Sequence, residues 1–342
     1  PTLIYYGLQL LHPSFFYPAA CLICAIVALS IGSSWTVAGT LGVALMGVAQ
    51  GLDMSPAITA GAVISGAYFG DKMSPLSDTT NIAPAAAGSE LFSHIRYMTY
   101  TTVPSIVIAL VLFTVIGLAG GGRGDGGEAL GDLPGVLQAN FRIGWYLLIP
   151  MAVVFVLATR RFPAYPTILI GALLGALFAV VFQADAVVAL AGNEDLARPM
   201  ALLSGAWTAL FNGYSAETGN AAVDDLISRG GMSSMLNTVW LVMCAMAFGA
   251  VMEKVGLLER LIRSVLAAAR STGSLIAATL GTAIGANVVA ADQYMSIVLT
   301  GRIFRPEYER RGLAPENLSR SLEDAGTLTS PLIPWNTCGA YL

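Results

Sequence analysis

Gly66-Ala67-Tyr68-Phe69-Gly70-Asp71-Lys72-Met73-Ser74-Pro75-Leu76-Ser77-Asp78-Thr79-Thr80-Asn81 ends an apolar stretch, 57–70, on two carboxylates placed either side of a proline. Hydrocarbon cannot satisfy free backbone groups, so a membrane helix broken in this way needs protein or a water-filled cavity around the break. An acid at the bilayer centre costs roughly 2.5–3.5 kcal/mol on insertion scales, which makes Asp71 and Asp78 functional candidates by position alone. Ser74, Ser77, Thr79, Thr80 and Asn81 surround them with hydroxyl and amide oxygen. The stretch implies an all-α polytopic membrane protein with discontinuous helices.

Composition supports that reading. The 342 residues carry 17 Lys and Arg and 21 Asp and Glu, 11% in all, less than half the roughly 25% of a soluble domain. Hydrophobic residues make up 56% and mean hydropathy is +0.71. A soluble enzyme and a disordered chain are both excluded, because so few charges cannot solvate a surface of this size. A net charge of −4 leaves no basic face, so nucleic acid is not an expected partner. Cys21 and Cys24 lie inside an apolar run without a second metal-binding pair, and read as small packing residues. The chain starts at Pro1 without Met or a signal peptide, and reads as a fragment lacking both ends.

Clear spans are expected over 100–119, 143–158, 165–182 and 232–251. Two further apolar stretches are interrupted, at Gly32-Ser33-Ser34 and at Gly285-Ala286-Asn287, and read as re-entrant hairpins. Lys and Arg favour the cytoplasm. They put Arg96, Arg160, Arg161, Lys254, Arg260, Arg263, Arg270, Arg302, Arg305, Arg310 and Arg311 inside, and the loops 120–142 and 185–198 outside. Hairpin, span and Ser-Pro-Leu break then recur with opposite orientation. The first repeat is 1–99, with hairpin 15–50 and broken helix 56–98. Connecting helices fill 100–231. The second repeat is 232–342, with hairpin 273–304 and broken helix 317–342. Inverted-topology repeats of this kind mark secondary transporters, whose ion sites lie at the breaks near the midplane.

The site is expected from the polar residues of those breaks. Asp71, Asp78 and Asp292 are the titratable ligands for Na+ or Li+. Ser74, Ser77, Thr79, Asn287, Ser330, Asn336 and Thr337 are neutral donors, and Asp324 is a further acid preferred over its neighbour Glu323. Such oxygens suit hard cations. Burial raises a carboxylate's proton affinity and a bound cation lowers it, so H+ and Na+ compete for one acid, which suffices for antiport. Asp78-Thr79-Thr80 also reads as a helix cap, a role compatible with ion binding. Lys72 either pairs with Asp71 or ends at the interface. Glu217, with Thr218, Gly219 and Asn220 in a stretch expected outside, reads as cap or gate as readily as ion ligand, and His12 and His94 read as interfacial residues rather than ligands. Gly120 to Gly127 lacks the Lys-Ser/Thr of a phosphate loop. An intramembrane aspartyl protease pairing Asp71 with Asp292 is the alternative class, weakened because Phe69 stands where a glycine is expected.

At 66–81, at Ala291-Asp292-Gln293-Tyr294, and at Leu322-Glu323-Asp324 with Trp335-Asn336-Thr337, the sequence resembles the NhaC-type Na+/H+ antiporter family of the ion-transporter superfamily. The resemblance covers nearly the whole chain and implies longer members at both ends. It implies a multi-pass protein of a prokaryotic inner membrane that exchanges Na+ or Li+ for H+, needing no cofactor and acting as no enzyme. Similar proteins exchange malate or lactate with Na+ and H+; few Lys or Arg near the site argue against a dicarboxylate. Partners are then the ions, the lipid bilayer and, as an open expectation, a second copy in a homodimer.

Overall fold

The computed structural model describes residues 2–120, 133–160, 162, 164–192, 196–216, 218–219, 224 and 227–342. Glu217, Asn220, Arg161 and Gly121 to Gly127 lie outside the described residues. Helices dominate: α1 (Thr2–Leu10), α2 (Phe16–Ile31), α3 (Ser34–Val37), α4 (Val43–Gly51), α5 (Pro56–Met73), α6 (Asp78–Ala87), α7 (Leu91–Leu118), α8 (Leu133–Asn140), α9 (Ile149–Thr159), α10 (Ala164–Phe182), α11 (Ala184–Ala191), α12 (Arg198–Phe211), α13 (Leu236–Lys254), α14 (Leu257–Ala268), α15 (Thr272–Ala290), α16 (Gln293–Arg310), α17 (Pro315–Leu322) and α18 (Thr337–Tyr341). One antiparallel ladder pairs Gly213 with Gly230 and Tyr214 with Arg229. By length and composition, Pro13–Ile31, Leu91–Leu118, Met232–Met252 and Thr272–Ala290 suffice to cross a membrane; Pro166–Phe182 with Ala184–Ala191, bent by 103°, adds a fifth span if counted as one. The chain is an all-α polytopic membrane protein.

Two compact units divide it. The first comprises Pro1–Cys24, Thr36–Gly66 and Ala109–Leu236, and holds a small core of Leu137, Phe141, Ala216 and Ile227. The second comprises Ala25–Trp35, Ala67–Ile108 and Asn237–Leu342. Its core gathers Ala83 and Ala87 of α6 with Leu275, Ile297, Phe304, Tyr308, Leu318 and Leu322. Tyr308 is buried with its hydroxyl 3.0 Å from that of Thr279, so the large ring brings no unpaired oxygen inside. Every candidate site residue belongs to this second unit.

Local chemistry explains the boundaries in that unit. Ser271 and Ser274 form a reciprocal capping box that starts α15. Pro315 opens α17 at a position where its missing N–H costs nothing. Two expectations need correction. The second hairpin does not break at Gly285: α15 runs unbroken to Ala290, and the turn falls on Ala291, whose φ is +56°. Asp292 then caps α16 by accepting from Met295 N at 2.9 Å, and Thr337 N donates to Ala291 O at 2.9 Å. A glycine is tolerated inside a helix; the turn goes where a cap and a tertiary partner support it. Helix α7 also begins at Leu91 rather than 100, because its first turns carry polar groups that bond to α17: Ser93 to Glu316, His94 to Ser319 and Tyr97 to Asn317.

Candidate functional site

The first break is shaped by two glycines. Gly32 has φ +74°, and a Cβ there would lie 2.6 Å from the Leu76 carbonyl carbon and 2.8 Å from Ser77 N, so the turn after α2 sits directly against Leu76-Ser77. A Cβ on Gly70 would strike Ala25 O, Leu29 N and Ala28, so the last turn of α5 lies against α2 with no room for a side chain. These contacts set Asp71 beside Ser34, whose hydroxyl donates to Asp71 Oδ2 at 2.6 Å. Asp71 also faces the Ser77 hydroxyl and is buried. Thr80 Oγ1 donates to the carbonyls of Asp71 at 3.2 Å and Lys72 at 3.0 Å, serving the free end of α5. Asn81 Nδ2 donates to Pro75 O at 3.0 Å and Ser77 O at 2.6 Å. Ser77, not Asp78, is the N-cap of α6, and its hydroxyl lies 3.2 Å from that of Thr79. Ser74 and Thr79 are buried and Asp78 is exposed in the first turn.

Lys72 meets neither of its expected environments. Its side chain is 2% exposed and its ammonium is paired with Asp324 Oδ1, 252 residues away. Thr101 adds a 3.4 Å donation to the same oxygen. Glu323, ranked below Asp324 on sequence grounds, is fully buried in a π-helical turn, Glu323–Thr327, that continues α17. Among the described residues neither of its carboxylate oxygens has a hydrogen-bond partner. Thr79, Thr327, Lys72 and Asp71 are the groups that face it. His94 is buried as well, not interfacial; Nδ1 lies 2.8 Å from Ser319 Oγ and Nε2 has no partner among the described residues.

The second break is held by amides. Asn287 Nδ2 donates to Gly326 O at 2.6 Å and approaches Thr329 Oγ1 at 2.9 Å and Ala325 O at 3.5 Å. Asn336 Nδ2 donates to Asn287 O at 3.1 Å, while its Oδ1 accepts from Cys338 N at 3.1 Å and so caps α18. Ser330 Oγ donates to Thr327 O at 2.7 Å and stands 3.2 Å from Gln293 Oε1. Trp335 Nε1 donates to Val288 O at 2.8 Å. Thr337 is buried, its backbone tied to Ala291 as above.

The structure therefore joins Asp71, Lys72, Glu323 and Asp324 into one cluster, and gathers Asn287, Ser330, Asn336 and Thr337 into another. Asp292 is half-buried in its capping role. Tyr294 lies within electrostatic range of both Asp71 and Asp78. Among the described residues no three His, Cys, Asp or Glu side chains converge as metal ligands, so Asp71, Asp78 and Asp292 do not form one closed cage. The acid cluster holds three carboxyls around one ammonium. Buried like charges are expensive, and a proton or a bound cation offsets the excess. Periodicity does carry a signal for Glu323: a 3.6-residue repeat puts it on the face of Ser319 and Thr327, beside Leu322. Lys72 as partner of Asp324 has no local signal.

Residues 66–342, more than half the chain, match the model of the Na+/H+ antiporter family. Across its whole length the chain is 44% identical to the Na+/H+ antiporter NhaC of Alkalihalophilus pseudofirmus, covering 70% of that protein. It is 39% identical to the NhaC antiporter of Bacillus subtilis, covering 72% of it. It is 38% identical to the malate-2H+/Na+-lactate antiporter of the same organism, covering 70%. No solved structure matches significantly.

Proposed function

This chain belongs to the Na+/H+ antiporter family, and we propose that it exchanges Na+, or Li+, for H+ by alternating access at the acids of the two breaks. It is a multi-pass protein of a prokaryotic plasma membrane and a transporter rather than an enzyme. The inverted repeats with boundaries 1–99, 100–231 and 232–342 and the homodimer belong to the same proposal.

One observation carries the site. In the buried cluster Lys72 balances Asp324, leaving Asp71 and Glu323 without a counter-charge of their own among the described residues. Asp71 has a hydroxyl from Ser34 and faces another from Ser77, so its carboxylate and those oxygens suit a small hard cation. A proton neutralises the same acid. Occupancy by Na+ and by H+ is then mutually exclusive, and a site opened alternately to each side exchanges one for the other. Asp78, exposed, and Asp292, half-buried, attract cations toward that acid, while Asn287, Asn336 and Ser330 keep the second break shaped. Thr337, Ser74 and Thr79 complete the neutral oxygen lining.

A dicarboxylate would need a cation free to bind it, and the buried ammonium of this cluster is taken by Asp324. Simple cation exchange is therefore the preferred reading over malate/lactate exchange. Proteoliposomes loaded with a pH-sensitive dye test it: an inward Na+ gradient should drive H+ out. Unchanged Na+-driven flux in an Asp71→Asn, Asp78→Asn double variant would overturn the site. Flux that needs malate or lactate would overturn the substrate.

A further inference from the structure

A second charged feature of the same unit lies away from these acids. A cavity of about 700 Å³ opens between the end of α13, α14 and α16. Lys254, Arg263 and Arg302 line it, with Glu259 as its one acid and with Leu299 and Ile303 as apolar wall. Glu259 is already committed: Arg263 holds it through Nε at 2.9 Å and Nη2 at 2.7 Å. Three arginines further along α16 and at its end are matched as well. Arg305 pairs with Glu309 at 2.8 Å, and Glu307 takes Arg310 at 2.7 Å and Arg311 at 2.5 Å. The two arginines hold the Glu307 carboxyl down to about 2, so it stays anionic and keeps them neutralised. Lys254 and Arg302 have no ion pair among the described residues. The cavity carries three cations against one acid.

Exposed apolar side chains stand next to it. Val251 and Val255, on either side of Lys254, are 59% and 75% exposed, on or next to a helix long and apolar enough to span. Helix α14 buries Ile262 while Glu259 and Arg263 face outward, as in an interfacial amphipathic helix. Its C-terminal end is tied down by Arg311 Nη2 donating to Ala269 O at 2.5 Å. The distribution of Lys and Arg in the sequence puts this edge at the cytoplasmic face, where anionic lipids concentrate. An anion alone would be met by charge alone. Unpaired cations, an apolar wall and bare valines together fit an amphiphile.

We propose that this cavity binds the headgroup of an anionic phospholipid of the cytoplasmic leaflet, its acyl chains lying along α13. The test uses the purified full chain in detergent, mixed with phosphatidylglycerol or phosphatidylcholine and read by native mass spectrometry. Wild type should retain phosphatidylglycerol in preference. A Lys254→Gln, Arg302→Gln variant should retain at least roughly tenfold less, and a charge-preserving Lys254→Arg, Arg302→Lys variant should regain it, which separates loss of charge from loss of fold. Equal retention of the two lipids by wild type, or undiminished retention by the Gln variant, overturns the proposal. Displacement of the lipid by excess inorganic phosphate assigns the cavity to a free anion and overturns it too.

Discussion

The breaks at Ser74-Pro75-Leu76 and Ser330-Pro331-Leu332 face one problem, the loose carbonyls at the end of a helix, and solve it with different groups. At the first, a hydroxyl from the following helix reaches back: Thr80 bonds the carbonyls of Asp71 and Lys72. At the second, an amide arrives from the hairpin: Asn287 bonds Gly326 and approaches Ala325, and is itself held by Asn336. Each break is then followed by a capped helix, Ser77 for α6 and Asn336 for α18. The acids differ as well. Asp71 stands three residues before its break with a hydroxyl donor, whereas Glu323 stands seven residues before its own with none. Similar geometry thus supports unlike chemistry, with a hydroxyl-bonded acid at one break and an unsatisfied one at the other.

The harshest way to break this comparison is to neutralise the hydroxyl-bonded acid. Asp71→Asn keeps the size of the side chain and its neighbours, and should reduce Na+-driven H+ flux to that of empty liposomes. Retained flux would move the exchange away from the first break.

Next comes the ion pair that links the two breaks. Lys72→Met leaves Asp324 without its cation and removes the ammonium that faces Glu323, so a loss of about 3–5 kcal/mol is expected. Thermal unfolding in detergent checks it. A Lys72→Met, Asp324→Leu double variant should recover much of that loss, because both charges leave together. A double variant no better than the single one would show that Lys72 matters through other contacts.

Amide and hydroxyl are then compared directly. Asn287→Ala removes bonds to the second break and leaves a small cavity, for an expected loss of about 3 kcal/mol. Thr80→Val preserves shape and removes one hydroxyl, for about 1 kcal/mol. The same unfolding assay should rank them in that order. The reverse order would mean that the first break bears more of the unit's stability than its hydrogen bonds indicate.

Much of this arrangement is legible in the residues themselves. Proline flanked by serine and leucine marks both breaks, and Gly32 marks the first hairpin turn because only a glycine fits against Leu76. The illegible part depends on distant partners. Ser34 meets Asp71 across 37 residues, and Lys72 meets Asp324 across 252. No spacing encodes such pairs. Gly285 is the natural place to expect the second turn because a glycine is flexible, yet the helix passes through it and turns at Ala291, where Asp292 and Thr337 supply hydrogen bonds. His94 reads as interfacial, and Glu323 as second to Asp324, for a related reason: a polar side chain beside apolar ones gives no sign, along the chain, that another helix covers its face.

The gentlest probe sits just past the first break. Asp78 is exposed in the first turn of α6, and Ser77 already provides the cap, so its carboxylate contributes to the helix chiefly through the N-terminal dipole. That interaction is worth about 0.3–1 kcal/mol at an exposed position. Asp78→Asn removes the charge without disturbing the break, and stability should fall by no more than that. Its effect on transport then reads the charge alone: a raised Na+ concentration for half-maximal flux, with maximal flux little changed, is expected of an acid that draws cations toward Asp71. Salt should erase the difference, since an exposed charge is screened within about 10 Å at 0.1 M ionic strength. Loss of flux as complete as in Asp71→Asn would instead make both acids direct ligands, and would extend the proposed site across the break.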